Sequence, residues 1–196
     1  MEMERLVIIR SMLLFTDKEF IKEQQRGNFL KCQNQQLQHS PGAAAGAGLS
    51  YALACDLRVM ASSAIMTTAF AKVGFSGDYG GSYFMTQLIG SAKARELYFL
   101  SDRVTADEAL NLGLTNWVCE PDDLMDKTME IANRLANGPS VAYRYMKENL
   151  NRAMNGEVDD CLDLEATHHI HCGQTEDHRN ATKAFVEKKE PVFKGK

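Results

Sequence analysis

Followed for the period at which apolar residues recur, the chain changes character near Pro41. Ahead of it, Leu6 to Phe15 is a short apolar run broken by Arg10, and positions 19 to 39 are crowded with Lys, Arg and Gln, with few apolar anchors for a core. Residues 1–40 therefore read as an atypical, weakly specified N-terminal segment, helical in places. After Pro41 the pattern becomes regular. Small residues from Gly42 to Gly48 lead into Leu49–Ala54, a good helix former whose glycines allow close backbone approach. Asp56 to Ala61 alternates polar and apolar, which predicts a strand, and Ile65 to Thr68 predicts a second short one.

A glycine-rich loop, Val73 to Gly81, precedes a helix expected to bury Phe84, Leu88 and Ile89. Gly90 separates it from a second helix over Ala92–Leu100. Thr105-Ala106-Asp107-Glu108 has the form of a capping box that opens a third, closed at Leu112-Gly113-Leu114. Asn116 to Val118 reads as a strand. Pro121-Asp122-Asp123 then starts a helix carrying Leu124, Thr128, Ile131 and Leu135 at helical spacing until Gly138-Pro139 stops it. Three more helical stretches follow, to Phe193. Strands and helices interleave up to Val118, and helices alone follow.

Composition adds limits. With 196 residues, 44% of them hydrophobic and 24% charged, the chain is long enough for one substantial core. A formal charge of -4 gives no general basic surface, which disfavours nucleic acid and anionic membrane as partners and requires any anionic ligand to be held locally. Cys32, Cys55, Cys119, Cys161 and Cys172 form no C-x-x-C pair, and an odd count fits a reducing, cytoplasmic setting better than a disulfide framework. The Leu6–Phe15 run is too short to span a bilayer and carries no cleavage signal.

The motifs carry the chemistry. Gly46-Ala47-Gly48-Leu49-Ser50 is followed by Ala54-Cys55-Asp56. Further along stand Thr67 to Gly74, the Gly80-Gly81-Ser82 turn, Ala92 to Leu97, Ala106 to Leu114, Thr175-Glu176-Asp177 and Ala184 to Lys189. In this order and spacing they resemble the C-terminal two-thirds of the crotonase (enoyl-CoA hydratase/isomerase) superfamily, over about residues 41–196. The resemblance implies an α/β fold: a spiral of ββα units, here N-terminally incomplete, as a core over residues 41–138. It also implies a helical C-terminal region over 139–196, which in relatives packs trimers or dimers of trimers.

It implies, too, chemistry on an acyl-CoA thioester, whose carbonyl oxygen gains charge as a neighbouring carbon is deprotonated. Coenzyme A is then part of the substrate, with no separate cofactor. Two backbone amides form the family's oxyanion hole, and a small-residue turn at a helix N-terminus suits the task because free amides and helix dipole face the charge. Ala47 occupies the matching position, with Gly46 and Gly48 beside it and Phe70 in the same site. A glycine turn that merely permits tight packing is the plain alternative. The family's other donor belongs to an N-terminal segment, and residues 1–40 contain nothing resembling it.

Hydratases of the family place two glutamates at the site, one for water and one for the proton. The matching positions here are Ser50 and Phe70. One carboxylate remains: Asp78 sits where several family isomerases carry an aspartate, and one carboxylate can remove a proton from one carbon and return it to another. The resemblance therefore favours an enoyl-CoA double-bond isomerase. A hydratase with carboxylates from elsewhere, and a non-catalytic oligomerising or CoA-binding relative, stand as alternatives. Asp78 could equally serve as an N-cap near Gly80, and Ser50 reads as a helix residue facing solvent or a backbone carbonyl.

His168-His169-Ile170-His171-Cys172 invites a metal reading. On a helix, however, His169 points away from its neighbours and no second ligand pair is suitably spaced, so no metal is expected. Arg95 and Glu96 read as a solvated pair. Phe185, Lys188, Lys189 and Lys194 resemble the tail that contacts CoA phosphates or adenine in relatives, although exposed tail charge is equally ordinary.

Overall fold

The polar run that ends the N-terminal segment folds as a buried strand. The computed structural model describes the backbone of Leu6–Arg10 and, in full, residues 35–196. β1 (Leu6–Arg10) and β2 (Gln35–Ser40) join β4 (Leu57–Ala61) and β7 (Trp117–Cys119) in a sheet of order β1-β2-β4-β7. β2 runs parallel to β4 with Leu37 opposite Leu57 and Ser40 opposite Met60, and β4 runs parallel to β7. In β2, Gln36, Gln38, His39 and Ser40 are all buried beside Leu37. Burial of so much polar side chain requires internal hydrogen bonding. Gln38 Nε2 donates to Ser40 Oγ at 2.7 Å, and the Gln36 amide donates to Asp56 Oδ2 at 2.7 Å. The expectation that residues 1–40 are weakly specified is thus corrected at both described strands.

A second sheet, of order β3-β5-β6, is built from β3 (Ala44–Ala45), β5 (Ile65–Thr67) and β6 (Val104–Thr105), with β3 parallel and β6 antiparallel to β5. Between the sheets in sequence lies α1 (Ala47–Ala54), whose eight residues are all buried. A helix apolar on every side belongs in an interior, and α1 packs against α2 (Gly81–Leu100). Gly90, at φ 76° and ψ 162°, breaks α2 into the two predicted helices. Its buried positions are Gly81, Met85, Ala94 and Leu97, whereas Leu88 is exposed and Phe84 and Ile89 only half-buried. The inward face is therefore rotated from the predicted one, because the large apolar residues were counted and the small ones that let α1 approach were not.

α3 (Ala106–Leu112) opens with the expected capping box, the Thr105 hydroxyl accepting from the Glu108 amide while the Thr105 amide donates to Glu108 Oε2. Gly113 closes it in the left-handed conformation. A 3-10 turn over Pro121–Asp123 leads into α4 (Leu124–Ala136), which buries Leu124, Thr128, Ile131 and Ala132.

The chain forms two compact units, one over Gln36–Glu130 with the Ile8–Arg10 part of β1, the other over Ile131–Lys196 with Leu6, Val7 and Gln35. In the latter, α5 (Ser140–Ala153) packs on α6 (Val158–Gly173), and α6 on α7 (Glu176–Val186). α7 ends at Val186, short of Phe193, and the remaining residues carry no regular secondary structure. No helix among the described residues is long and apolar enough to cross a membrane.

Candidate active site

The site grows from the turn that starts α1. Gly46 stands at φ 51°, a conformation that favours glycine, and its amide donates to Thr67 O at 3.1 Å, tying the turn to β5. Amides in the first turn of a helix have no intrahelical acceptor. With the Gly46 amide committed, Ala47 offers the first of them, at the positive end of the helix dipole. The Phe70 ring lies over this turn: a Cβ on Gly46 would sit 3.7 Å from Phe70 Cε1.

Ser50, one turn further on, is 1% exposed. Its hydroxyl lies 3.2 Å from Asp78 Oδ1 and 3.3 Å from Gly46 O. Of the two expectations for Ser50, the backbone carbonyl is met and solvent is not, and the candidate acid is a further neighbour. The N-cap alternative for Asp78 also fails, because Gly80 holds the cap position with no side-chain hydrogen bond.

Aromatic rings wall the carboxylate. Tyr79 carries φ 44°, rare for a side-chain-bearing residue and costing about 1–2 kcal/mol. Its ring stacks on Tyr51 at 4.8 Å between centroids, while Phe70 and Tyr98 stack at 6.0 Å. Burial pushes the Asp78 carboxyl above the usual range, and the Ser50 hydrogen bond opposes that shift. Burial also pushes the Tyr98 phenol up to about 12, with the charge of Asp78 adding to it. The Tyr51 phenol is raised by burial first, then by Tyr79 and Asp78.

Gly81 shows how tightly these groups meet. A Cβ there would fall 2.8 Å from the Tyr98 hydroxyl and would also collide with Ser50 Oγ. Gly46, Ala47, Gly48, Phe70 and Asp78 are thus brought to one place, joined by Ser50, Tyr98 and Gly81, which sequence reasoning gave no role at the site. Nothing in a lone tyrosine twenty residues along the chain signals that contact. The region in which the resemblance seeks a second oxyanion donor falls largely at positions outside the described residues.

The C-terminal candidates belong to the other unit. Phe185 is strongly exposed and lines, with Thr182, Lys189 and Glu190, an open recess of about 570 Å³. Lys188 stands at φ 54°, and the Lys194 amide donates to Asp177 Oδ1 at 2.7 Å. Of the histidines, His168 is buried, with Nδ1 2.5 Å from Asn149 Oδ1 and its ring stacked on Tyr145 at 4.3 Å. Among the described residues, no group of three His, Cys, Asp or Glu side chains is placed to hold a metal ion.

The family model for enoyl-CoA hydratase/isomerase matches residues 22–196. The chain belongs to the enoyl-CoA hydratase/isomerase family. That match begins ahead of residue 41, where the resembling motifs start. Among similar family members, the short-chain-enoyl-CoA hydratase of Clostridium acetobutylicum is 36% identical over 148 residues, 76% of this chain and 57% of that protein. The 1,2-epoxyphenylacetyl-CoA isomerase of Escherichia coli is 34% identical over 155 residues, 79% of this chain and 59% of that protein. The chain thus spans somewhat under two-thirds of the length of these relatives and resembles the family's C-terminal portion. An enoyl-CoA hydratase subunit I structure from Geobacillus kaustophilus superposes with a TM-score of 0.88 at 28% identity, covering 98% of this chain and 81% of that one. The fold is accordingly α/β of the crotonase type with a helical C-terminal part.

Proposed function

We propose that this family member isomerises the double bond of an enoyl-CoA, with Asp78 as the proton-shuttling group and the Ala47 amide steadying the enolate oxygen. The observation that carries the reading is the Ser50 hydroxyl, 3.2 Å from Asp78 and 3.3 Å from the Gly46 carbonyl. It brings the carboxylate within one hydroxyl of the turn that presents the Ala47 amide. The positions matching the family's two glutamates hold Ser50 and Phe70, so Asp78 is left as the carboxylate of this cluster.

In this reading the Asp78 carboxylate takes a proton from C2 of a 3-enoyl-CoA. The electron pair is shared by C2, C4 and the thioester oxygen, where the Ala47 amide meets the charge. The protonated Asp78 then returns the proton at C4, leaving a 2-enoyl-CoA and a restored carboxylate. Base and amide suffice, with no cofactor besides the substrate's own coenzyme A. The raised Asp78 carboxyl suits a group that must both take and give the proton.

We place the CoA contacts at Phe185, Lys188 and Lys194, supported by the recess that Phe185 lines. Exposed Leu150, Val158, Leu162 and Ile170 on α5 and α6 support a trimeric or hexameric assembly through residues 139–196. The scattered, odd-numbered cysteines support a cytoplasmic protein, and the charge of -4 supports one without nucleic-acid partners.

The test offers the full chain a 3-enoyl-CoA and a 2-enoyl-CoA. The expected outcome is conversion of the 3-enoyl thioester, reduced roughly 10²–10⁴-fold in Asp78→Asn. Water addition to the 2-enoyl thioester would favour a hydratase instead. Turnover of neither, with acyl-CoA still bound, would favour a non-catalytic CoA-binding protein.

A further inference from the structure

We infer that Ser50 is a positioning residue for Asp78, a two-way partner whose hydroxyl turns between the Asp78 carboxylate and the Gly46 carbonyl as Asp78 loses and regains its proton. The inference rests on the proposed role of Asp78 and deepens it.

One hydroxyl carries one proton, yet Ser50 Oγ stands at nearly equal distances from two acceptors, 3.2 Å from Asp78 Oδ1 and 3.3 Å from Gly46 O. When Asp78 is ionised, the Ser50 proton points to it and makes a charge-assisted hydrogen bond. When Asp78 is protonated, its own O–H donates to Ser50 Oγ, and the Ser50 proton turns to the Gly46 carbonyl. The Gly46 carbonyl also accepts the Ser50 backbone amide at 3.0 Å, so it keeps a donor when the hydroxyl turns to Asp78, and the proton count of Ser50 never changes. An alkyl group at position 50 could serve neither state, whereas a hydroxyl donates and accepts through a single atom.

The surroundings hold the pair in register. Ser50 is almost wholly buried on a helix that is buried throughout, so its Cβ is fixed. Gly81 lies so close to Ser50 Oγ that a side chain there would displace the hydroxyl, and the Tyr98 hydroxyl closes the same space. Among the described residues, the titratable groups that feel Asp78 are the phenols of Tyr51 and Tyr98. Both keep their protons across the neutral range, so the pH response of the cluster there is that of Asp78.

The deciding experiment needs no substrate. Carboxyl carbons are labelled in aspartate, and the NMR titration missing from Asp78→Asn identifies Asp78. In Ser50→Ala the Asp78 titration moves upward, because the hydrogen bond to the anion is the stronger of the two it loses. Ser50→Cys, which leaves no cavity and offers only a weak donor, moves it in the same direction and separates the hydroxyl from a cavity left by Ala. A titration unmoved or lowered in both variants overturns the inference.

Turnover supplies a second reading. Ser50→Ala should lower kcat roughly ten- to a hundredfold while KM stays within about twofold, the signature of a misaligned group rather than weakened binding. In an Asp78→Asn background the same change should do nothing further, and an additive loss would count against action through Asp78. If the wild-type chain turns over neither thioester, the isomerase reading fails while the titration still decides the role of Ser50.

Discussion

Asp78 carries opposing demands that one measurement can expose. Its carboxyl is raised in the folded chain by burial, with the Ser50 hydrogen bond pulling the other way. The native state therefore holds the Asp78 proton more tightly than the unfolded chain, where the value is about 3.9. Between those two values stability falls as pH rises, and the penalty persists at neutral pH. Asp78→Asn removes it. The variant should melt above wild type at pH 7, and the gap should close as pH drops below about 4, where wild-type Asp78 is neutral in both states. A variant that is most destabilised at pH 7 would mean that Asp78 anchors the loop rather than straining it. A group that costs stability in its working ionisation state is what a site built for function produces.

At the scale of elements, β4 shows how a correct strand can conceal its own environment. The alternation from Asp56 to Ala61 predicts a strand with Arg58 on a polar face, but Arg58 is buried. A parallel strand in the middle of a sheet is covered on both faces. The Arg58 guanidinium is satisfied by backbone, Nε donating to Leu114 O at 2.7 Å and Nη1 to Cys55 O at 2.5 Å. Its own amide donates to Asn116 Oδ1, and its carbonyl accepts from Thr115 Oγ1. Arg58 thus joins the end of α1, β4 and the segment after α3. Arg58→Ala would strand buried carbonyls and should cost roughly 2–5 kcal/mol in urea unfolding. Arg58→Lys should recover little of it, since one ammonium cannot reproduce a planar fork aimed at two carbonyls.

On the scale of the molecule, the C-terminal unit closes on itself. Asp177, buried in the first turn of α7, accepts the amides of Lys194 and Gly195 at 2.7 Å each, while its own amide donates to Lys196 O at 2.9 Å. The last residues are thereby pinned beside the start of α7, with the stretch bearing Phe185 and Lys188 between the two ends. Hydrogen bonds to a charged acceptor are worth about 1.5–3 kcal/mol each. Asp177→Ala should leave the unit folded but raise hydrogen exchange at Lys194 and Gly195 by more than about tenfold, without comparable change in α5 and α6. Unchanged exchange at those two amides would mean that another contact holds the tail. If the tail carries CoA contacts as proposed, the same variant should weaken acyl-CoA binding.

The sequence by itself determined whatever depends on neighbours along the chain. The capping box at Thr105 and Glu108, the break at Gly90 and the stop at Gly113 are local choices of backbone and side chain, each present where the pattern predicts it, and the helix carrying Leu124 follows a 3-10 turn at the predicted Pro121 start. The turn at Gly46 and Ala47 was legible for the same reason. Tertiary structure decided the rest, because it depends on what another segment presents. Ser50 is silent until Asp78 arrives beside it, and Tyr98 until Gly81 makes room for its hydroxyl. The strand Gln35–Ser40 is polar in sequence and buried in the fold, where Gln38 Nε2 donates to Ser40 Oγ and the Gln36 amide donates to Asp56 Oδ2. Period and composition report a residue's own preference for water, whereas burial is settled by the partner that meets it.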